Sequence, residues 1–350
     1  MKTKKINFFL VIIVVSVIVI LTFSLKSINF SDILNKRVES LFSSTGTIDL
    51  KKTNQDSNGS LIDEKAFSEL ISSNLTGEEY NFNVLYYPYY SLLNSRETLL
   101  YKQIYANAKT LNRTFSVSEN VNIEEVDETI DAIYYDHPEL FWLGNDYTYK
   151  YTKDNRVVEI TLNFNMTIAE IKEAQQEFNQ EVNELLKGAY SLDTAYQKEK
   201  YIHNLLINQV TYDEKAPNNQ SAYSAIVNKK TVCAGYAKAF QLLLTKLGIP
   251  CYYIVGFAKE AHAWNIVKLD GYYNVDLTWD DAKEQYKYFN KTDEFFNKTH
   301  TRTGLSQKMA SCMATTFQDY EQSNKNNVYN NSNNYNNNSF YNYIYKYGTN

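Results

Sequence analysis

The sequence predicts an α+β fold, in which helices pack against antiparallel strands. Three patterns predict it: apolar residues recur at helical spacing in several segments, apolar and polar residues alternate over residues 147–164, and an apolar helix headed by Cys233 precedes a β-hairpin. The chain has 350 residues, of which 44% are hydrophobic. It is therefore long enough for roughly two domains of about 150 residues and for a sizeable buried core.

The first predicted element is a membrane-spanning helix. Three lysines within the first five residues precede an apolar run over residues 6–25. As a helix this run spans roughly 30 Å, the thickness of a bilayer's hydrocarbon core, whereas the apolar region of a signal peptide usually has about 7–15 residues. We therefore expect residues 1–26 to form an uncleaved single-pass anchor, with the basic flank in the cytoplasm and the remainder outside the cell. The alternative is a long signal peptide cut after Ser24, which would give a secreted protein.

The region that follows divides into a tether and an accessory region. Residues 27–80 are rich in Ser, Asn, Asp and Lys, which predicts a low-complexity tether that buries too little apolar surface to fold alone. Residues 81–188 form the predicted accessory region of helices and a β-hairpin. The hairpin covers residues 147–164, with its turn at Lys153-Asp154-Asn155. Apolar residues at helical spacing predict helices over residues 85–111, 123–136, 167–187 and, in the next region, 194–209.

The predicted core domain covers residues 189–318 and contains all three cysteines of the chain. An odd number of cysteines cannot all pair with one another, so at least one of Cys233, Cys251 and Cys312 keeps a free thiol. Cys251 begins a predicted strand, and we expect it to be a buried core residue. Residues 319–350 are rich in Asn and Tyr, a composition typical of a disordered tail.

Cys233 is predicted to begin an apolar helix that ends near Gly248 and Pro250. A helix N-terminus presents unpaired backbone N–H groups and a partial positive charge, so a thiol placed there ionises more readily and becomes nucleophilic. The same N–H groups can bind an oxyanion. One helix could thus supply both a nucleophile and the stabilisation of a tetrahedral intermediate.

A base and a group to orient it are offered by a predicted hairpin that runs from His262 to Asp276. The register of this hairpin decides whether the two side chains can meet. With a two-residue turn at Asp270-Gly271, they would project from opposite faces of the sheet and could not form a pair.

We predict a three-residue turn at residues 269–271 instead, with Gly271 in the left-handed conformation of a β-bulge. Lys268 then pairs with Tyr272. His262 lies diagonal to Asp276 on one face, with the backbones roughly 7–8 Å apart, a distance that the two side chains can span.

Five segments resemble the bacterial transglutaminase-like core domains and follow the family's order over about residues 201–300. They are Ser221-Ala222-Tyr223, Val232-Cys233-Ala234-Gly235-Tyr236-Ala237, Gly248-Ile249-Pro250-Cys251, His262-Ala263-Trp264-Asn265 and Val275-Asp276-Leu277-Thr278-Trp279-Asp280. Upstream, residues 136–142 resemble the segment that precedes this core in many exported bacterial members. The resemblance implies a papain-like fold, with the nucleophile helix packed on an antiparallel sheet. It also implies Cys233 as nucleophile, His262 as base and Asp276 as orienting carboxylate.

The residues and the resemblance together imply a thiol enzyme that acts on amide bonds. The Cys233 thiolate would attack an amide carbonyl, and the resulting thioester would be resolved by water, as in a peptidase, or by an amine, as in a transglutaminase. Trp264 and Trp279 are predicted to wall the active-site sheet. An extracellular location would favour surface polypeptides or peptidoglycan peptides as substrates. The alternative is a non-catalytic surface scaffold or binding protein that keeps the fold.

Other partners and roles are disfavoured. The net charge of −5 leaves no basic excess to neutralise phosphates, so no nucleic acid is expected. No pair of His or Cys has metal-ligand spacing, so neither a metal nor another cofactor is expected. Tyr212 and Gln220 are candidates for a second oxyanion donor. His137 and His203 are predicted to be structural or surface residues, and nothing in the sequence couples His300 to the chemistry.

Overall fold

The computed structural model describes residues 59–61, 75–282 and 286–317. The predicted membrane anchor, most of the predicted tether and the predicted tail lie outside these residues. Within the described ranges, no helix has both the length and the apolar character needed to cross a membrane.

Helices and largely antiparallel sheets alternate along the described chain, which confirms the mixed helix and sheet content predicted from the sequence. The α-helices are α1 (Ser95–Lys109), α2 (Ile123–Asp136), α3 (Ile168–Leu186), α4 (Ala195–Gln209), α5 (Ala222–Ile226), α6 (Cys233–Lys246), α7 (Leu277–Ala282) and α8 (Asp293–Phe296). The strands are β1 (Gly59–Leu61), β2 (Thr114–Ser116), β3 (Leu143–Tyr151), β4 (Val157–Phe164), β5 (Thr211–Tyr212), β6 (Lys230–Thr231), β7 (Cys251–Ala258), β8 (Glu260–Lys268), β9 (Tyr272–Val275) and β10 (Thr301–Arg302).

The first sheet has four strands in the order β1, β3, β4, β2. β3 and β4 form the predicted hairpin, in which Tyr149 lies opposite Ile160 in an antiparallel register. Asn155 in the connecting turn is left-handed, with a φ of 63°. β1 lies within the predicted tether and pairs in parallel with β3, so a short part of that segment belongs to the accessory sheet.

Capping boxes fix where the accessory helices begin. The helix predicted over residues 85–111 is shorter than expected, because Asn94 and Glu97 form a capping box that begins α1 at Ser95. The residues Tyr90–Leu92 form a separate 3-10 turn before it. α2 and α3 also begin with capping boxes and lie close to their predicted positions.

The second sheet is antiparallel and has the strand order β10, β7, β8, β9. α6 is buried along most of its length and packs on this sheet. The Asn265 Nδ2 atom on β8 donates a hydrogen bond of 2.9 Å to the Ala237 carbonyl of α6. This packing holds the N-terminus of α6 beside the strands that carry the predicted base and carboxylate.

The accessory region packs directly on this second sheet. The Tyr89 hydroxyl donates to the Tyr253 carbonyl over 2.6 Å, and Gln241 Nε2 of α6 donates to the Tyr135 carbonyl of α2 over 2.9 Å. The Tyr135 and Tyr253 rings lie 5.6 Å apart. Buried residues of the two regions therefore form one continuous hydrophobic cluster.

Candidate active site

Cys233 is the first residue of α6 and is only 1% exposed. Val232 precedes it at the N-cap position, and no side chain caps the helix. The first backbone N–H groups of α6 are thus not used by a capping side chain. A Cβ atom on Gly235 would lie 1.8 Å from Thr231 Oγ1 and 2.9 Å from the Ser221 carbonyl oxygen. Glycine at this position therefore lets the start of the helix pack closely on the loop before it.

The hairpin that carries the other two predicted residues has a three-residue turn, because Lys268 pairs with Tyr272. This confirms the predicted register. The prediction of a left-handed Gly271 is wrong, since the left-handed glycines of the described chain lie elsewhere. The Leu269 N–H donates to the Gly271 carbonyl over 2.9 Å, and a Cβ on Gly271 would lie 2.5 Å from the Ala314 Cβ. Close packing of residue 314, and not a positive φ, requires glycine here.

This register brings His262 and Asp276 together. The His262 Nε2 atom lies 2.8 Å from Asp276 Oδ2, and both residues are buried. The remaining ring nitrogen, Nδ1, is the one available to Cys233, whose sulfur lies close enough to affect the pKa of the imidazole. Burial alone would lower the pKa of His262, but the Asp276 carboxylate and then Cys233 outweigh burial, so the pKa is raised above its ordinary value. The protonated imidazole is therefore favoured beside the sulfur.

Four donors converge on the fully buried Asp276 carboxylate. Its Oδ2 atom accepts from His262 over 2.8 Å and from His300 over 3.1 Å. Its Oδ1 atom accepts from the backbone N–H groups of Thr278 and Trp279 over 3.0 and 3.2 Å. Burial alone would raise the pKa of Asp276, but the charge of His262 and the hydrogen bonds from both histidines lower it below its ordinary value. The ionised form of Asp276 is therefore favoured at neutral pH.

His300 is the residue that the sequence failed to connect to this site. It follows α8, its Nε2 atom contacts Asp276, and its Nδ1 atom lies 2.8 Å from Thr299 Oγ1. Burial lowers the pKa of His300, which favours the neutral ring with Nε2–H as the donor. The signal was weak, because a single histidine 24 positions beyond Asp276 has no periodic relation to it. Only the fold brings the two together.

Aromatic rings surround the imidazole, as predicted for Trp264 and Trp279. Their ring centroids lie 6.3 and 5.9 Å from that of His262. Trp279 also packs against His300, with centroids 4.7 Å apart. These rings limit the water that can reach the His262–Asp276 pair, which strengthens the electrostatic interaction between them.

The two predicted oxyanion donors lie in different places. Tyr212 is 39% exposed on β5, and its pKa is raised by burial of the hydroxyl and then by the charge of Cys233. Tyr212 is therefore within electrostatic range of the thiol. Gln220 lines a separate cavity between the accessory region and the start of α6.

The histidines predicted to be structural make buried pairs of their own. His203 Nε2 lies 3.0 Å from Asp280 Oδ2. His137 is held by the Tyr101 hydroxyl at Nε2 over 2.9 Å and by Glu139 at Nδ1 over 2.7 Å. Each imidazole of these two pairs is buried in the fold.

Cys233, Cys251 and Cys312 are all buried free thiols. Cys251 is fully buried on β7, which confirms the prediction of a core residue, and burial raises its pKa well above the ordinary value. Burial likewise raises the pKa of Cys312 to about 12. Among the three thiols, Cys233 is the one that affects the pKa of an imidazole within the described residues.

His262, Asp276 and His300 also have the composition of a metal site, since one ligand atom from each lies within 4.8 Å of the others. The carboxylate oxygen of that set already accepts hydrogen bonds of 2.8 and 3.1 Å from the two imidazoles. A cation bound here would have to replace these hydrogen bonds.

Comparison with known proteins places this site within a recognised domain. Residues 184–277 match the Transglutaminase-like superfamily, and this segment includes Cys233, His262 and Asp276. This segment of mixed helix and sheet structure is therefore similar to transglutaminase-like domains. None of the curated proteins matches the chain.

Two solved structures resemble parts of the chain. The crystal structure of a TGase has 16% sequence identity and a TM-score of 0.28, with 47% of this chain and 50% of that chain covered. A proposed cysteine protease from Cytophaga hutchinsonii has 18% identity and a TM-score of 0.29, with 45% of this chain and 58% of that chain covered. The chain thus spans less than two thirds of the length of either structure.

Proposed function

We propose that this protein is an extracellular, membrane-anchored thiol enzyme that transfers or hydrolyses acyl groups at amide bonds. The observation that carries the proposal is the series of contacts from Cys233 through His262 to Asp276. A nucleophile, a base and an orienting carboxylate in this order are the groups that thiol-dependent acyl transfer requires.

In the proposed reaction, His262 holds the proton of the Cys233 thiol as an imidazolium, and the sulfur attacks the carbonyl carbon of an amide. A C–S bond forms while the carbonyl π electrons move onto oxygen. When this intermediate collapses, the C–N bond breaks and His262 gives its proton to the departing nitrogen. An amine leaves and a thioester to Cys233 remains.

The fate of the thioester decides the reaction class. Attack by water, with its proton passing to His262, gives a carboxylic acid and makes the protein a peptidase or amidase. Attack by a second amine gives a new amide and makes it a transglutaminase. Both routes return the Cys233 thiol, and in both the backbone N–H groups at the start of α6 stabilise the oxyanion. The Tyr212 hydroxyl, whose pKa is raised by burial and then by the charge of Cys233, is the proposed second donor.

The proposed location rests on the lysines and the apolar run over residues 6–25, which would anchor the chain with its catalytic region outside the cell. Surface polypeptides and peptidoglycan peptides are the proposed substrates for this reason. Protease added to intact cells would remove the catalytic region from the membrane fraction if the location is correct. Full protection until the cells are lysed would contradict it.

The function is tested by incubating wild type and Cys233→Ala with a biotinylated primary amine and a cell-surface extract. Incorporation of biotin into surface proteins is expected from a transferase, and new peptide N-termini from a hydrolase. Both signals should be absent with Cys233→Ala and retained with Cys312→Ala, which removes another buried thiol. Wild type that produces neither signal, or Cys233→Ala that retains one, would overturn the proposal.

A second candidate function, a non-catalytic surface scaffold, is favoured by one observation: Cys233 is only 1% exposed. A substrate carbonyl can reach the sulfur only if neighbouring side chains move. A scaffold would bind a surface component equally well as wild type and as Cys233→Ala, without incorporation or cleavage, and the same incubation distinguishes the two.

A further inference from the structure

The cavity that Gln220 lines lies between the segment that follows α2 and the loop over residues 218–221. Its volume is about 190 Å³, far above the roughly 10–15 Å³ that one water molecule needs. None of Cys233, His262 and Asp276 lines it. The proposed thiol chemistry therefore gives this cavity no role.

Lys238 of α6 lines the cavity and is only 5% exposed. Its ammonium nitrogen, Nζ, lies 3.0 Å from the centroid of the Tyr134 ring and 5.4 Å from that of Tyr253. With the described residues Lys238 forms no hydrogen bond and no ion pair. Burial lowers its pKa well below the ordinary value, and no carboxylate offsets this effect. A buried lysine without a counter-charge therefore faces the cavity.

A second unused donor faces the same space. Asn145 lines the cavity, and its buried Nδ2 atom has no hydrogen-bond partner among the described residues. Buried donors in folded proteins are nearly always paired with a protein group, a water or a ligand. An amine and an amide N–H₂ that both lack an acceptor indicate that this cavity is built to receive one.

We propose that this cavity binds a small carboxylate, with Lys238 as its cation and the Asn145 amide as a further donor. One amine and neutral amides match a singly charged anion better than a phosphate dianion. The remaining walls include Asn218 and Asn219, whose neutral amides add polar surface without adding charge.

Because the Lys238 amine is buried, binding of a carboxylate is coupled to uptake of a proton. Burial favours the neutral form of the Lys238 amine and a bound carboxylate favours the protonated form, so the fraction of Lys238 that is neutral in the empty site takes a proton from solvent on binding and forms an ammonium–carboxylate pair. The pKa of Lys238 is lower in the empty site than beside a bound carboxylate. At pH values between these two pKa values, the affinity for the carboxylate should fall about tenfold for each unit that the pH rises.

Other ionisable groups lie around Lys238 and the cavity, and one of them, Asp146, is a carboxylate. Tyr134 and Tyr253 present their rings to it. At the cavity wall, His137 is hydrogen-bonded to Tyr101 and Glu139, and Asp146 accepts from the Asn163 amide at 3.0 Å. Asp146 is not among the groups that shift the pKa of Lys238.

The test is calorimetric titration of the purified full chain with sodium acetate or acetamide, at constant ionic strength and at pH 6, 7 and 8. The two probes have nearly the same shape and differ in charge. Saturable binding of acetate is expected, with proton uptake that appears as a dependence on the ionisation heat of the buffer. Acetamide should bind at least tenfold more weakly.

Variants assign the binding to this cavity. Lys238→Met should weaken acetate binding at least tenfold and remove the proton uptake, whereas Lys246→Met, an exposed lysine at the end of the same helix, should change neither. Asn145→Ala should weaken acetate binding and keep the proton uptake, which guards against a folding defect in Lys238→Met. Absent acetate binding, equal binding of both probes, or unchanged binding to Lys238→Met would overturn the proposal.

Discussion

In the part of the chain that the structure describes, two buried aspartates each contact histidine, Asp276 at His262 and His300 and Asp280 at His203, and we compare the His262–Asp276 contact, which lies near the Cys233 thiol, with the His203–Asp280 contact. The His262–Asp276 contact is 2.8 Å long and the His203–Asp280 contact 3.0 Å. The aspartates are joined through the backbone, because the Asp280 N–H donates to the Asp276 carbonyl over 3.1 Å. Both pairs are thus buried imidazole–carboxylate contacts, and their aspartates lie on one short stretch of chain.

The surroundings of the two carboxylates separate them. Asp276 accepts four hydrogen bonds, two of them from histidines, and its pKa is lowered. Asp280 accepts from His203 and, over 2.7 Å, from the Tyr288 N–H, and here burial prevails and raises the pKa. The His262–Asp276 pair is the candidate catalytic pair because further donors favour the ionised form of its carboxylate and a thiol lies near its imidazole.

The largest predicted effect is on turnover. His262→Gln should lower kcat/KM for the proposed reaction by about 10²–10⁴-fold, because a positioned general base contributes about that much. His203→Gln should leave the rate of the folded protein within about threefold of wild type. Both are measured as amine incorporation or peptide release, with near-UV circular dichroism as the folding control. Equal losses from the two variants would mean that both pairs are structural.

The second prediction concerns stability. At pH 7, Asp276→Asn should lower the free energy of unfolding by about 3 kcal/mol, because a buried charge network loses its anion. Asp280→Asn should cost about 1 kcal/mol, since burial already disfavours the charged form of that group. Urea denaturation of the two variants measures both quantities.

The dependence of the free energy of unfolding on pH tests whether Asp276 is ionised in the folded protein. Its pKa in the folded protein is lowered, so its stabilisation is present above the unfolded value of about 3.9 and is lost as the pH falls toward the folded value. The stability gap between wild type and Asp276→Asn should therefore not shrink from pH 7 to pH 5, where protonation of His262 adds to it, and should shrink below pH 4. A gap that shrinks between pH 7 and pH 5 would contradict the assigned ionisation.

The fold was predictable where local signals are strong. Thr167 with Glu170 marks the start of α3, and alternation over residues 147–164 marks the first hairpin, because capping and side-chain alternation depend on neighbouring residues alone. The start of α1 was missed because apolar spacing continues upstream of Asn94, whose capping box decides the boundary.

The candidate site was predictable only in part, because some of its features depend on contacts between residues that are distant in sequence. The register of the second hairpin followed from requiring His262 and Asp276 on one face, and the turn length was correct. The conformation of Gly271 was not, because it depends on the packing of Ala314, which is distant in sequence. His300 and the cavity at Lys238 likewise arise from tertiary contacts that no local pattern encodes.

The smallest predicted effect is that of His300. His300→Phe should keep the ring in place but remove the donor to Asp276, and kcat should fall about tenfold, the equivalent of one hydrogen bond of about 1.4 kcal/mol. KM should stay unchanged, because His300 positions the carboxylate and does not bind substrate in the proposed mechanism. A change in KM with constant kcat would instead place His300 in substrate binding.

The most direct test of the Cys233–His262–Asp276 unit is the rate of alkylation of Cys233 by iodoacetamide, followed by mass spectrometry at pH 6 and pH 9. In wild type the two rates should agree within a few-fold, and Cys251 and Cys312 should react far more slowly at both. In His262→Gln the rate should fall about 10²-fold from pH 9 to pH 6, because the sulfur no longer has an imidazolium beside it. A wild-type protein that shows the same 10²-fold fall would contradict the pairing of Cys233 with His262.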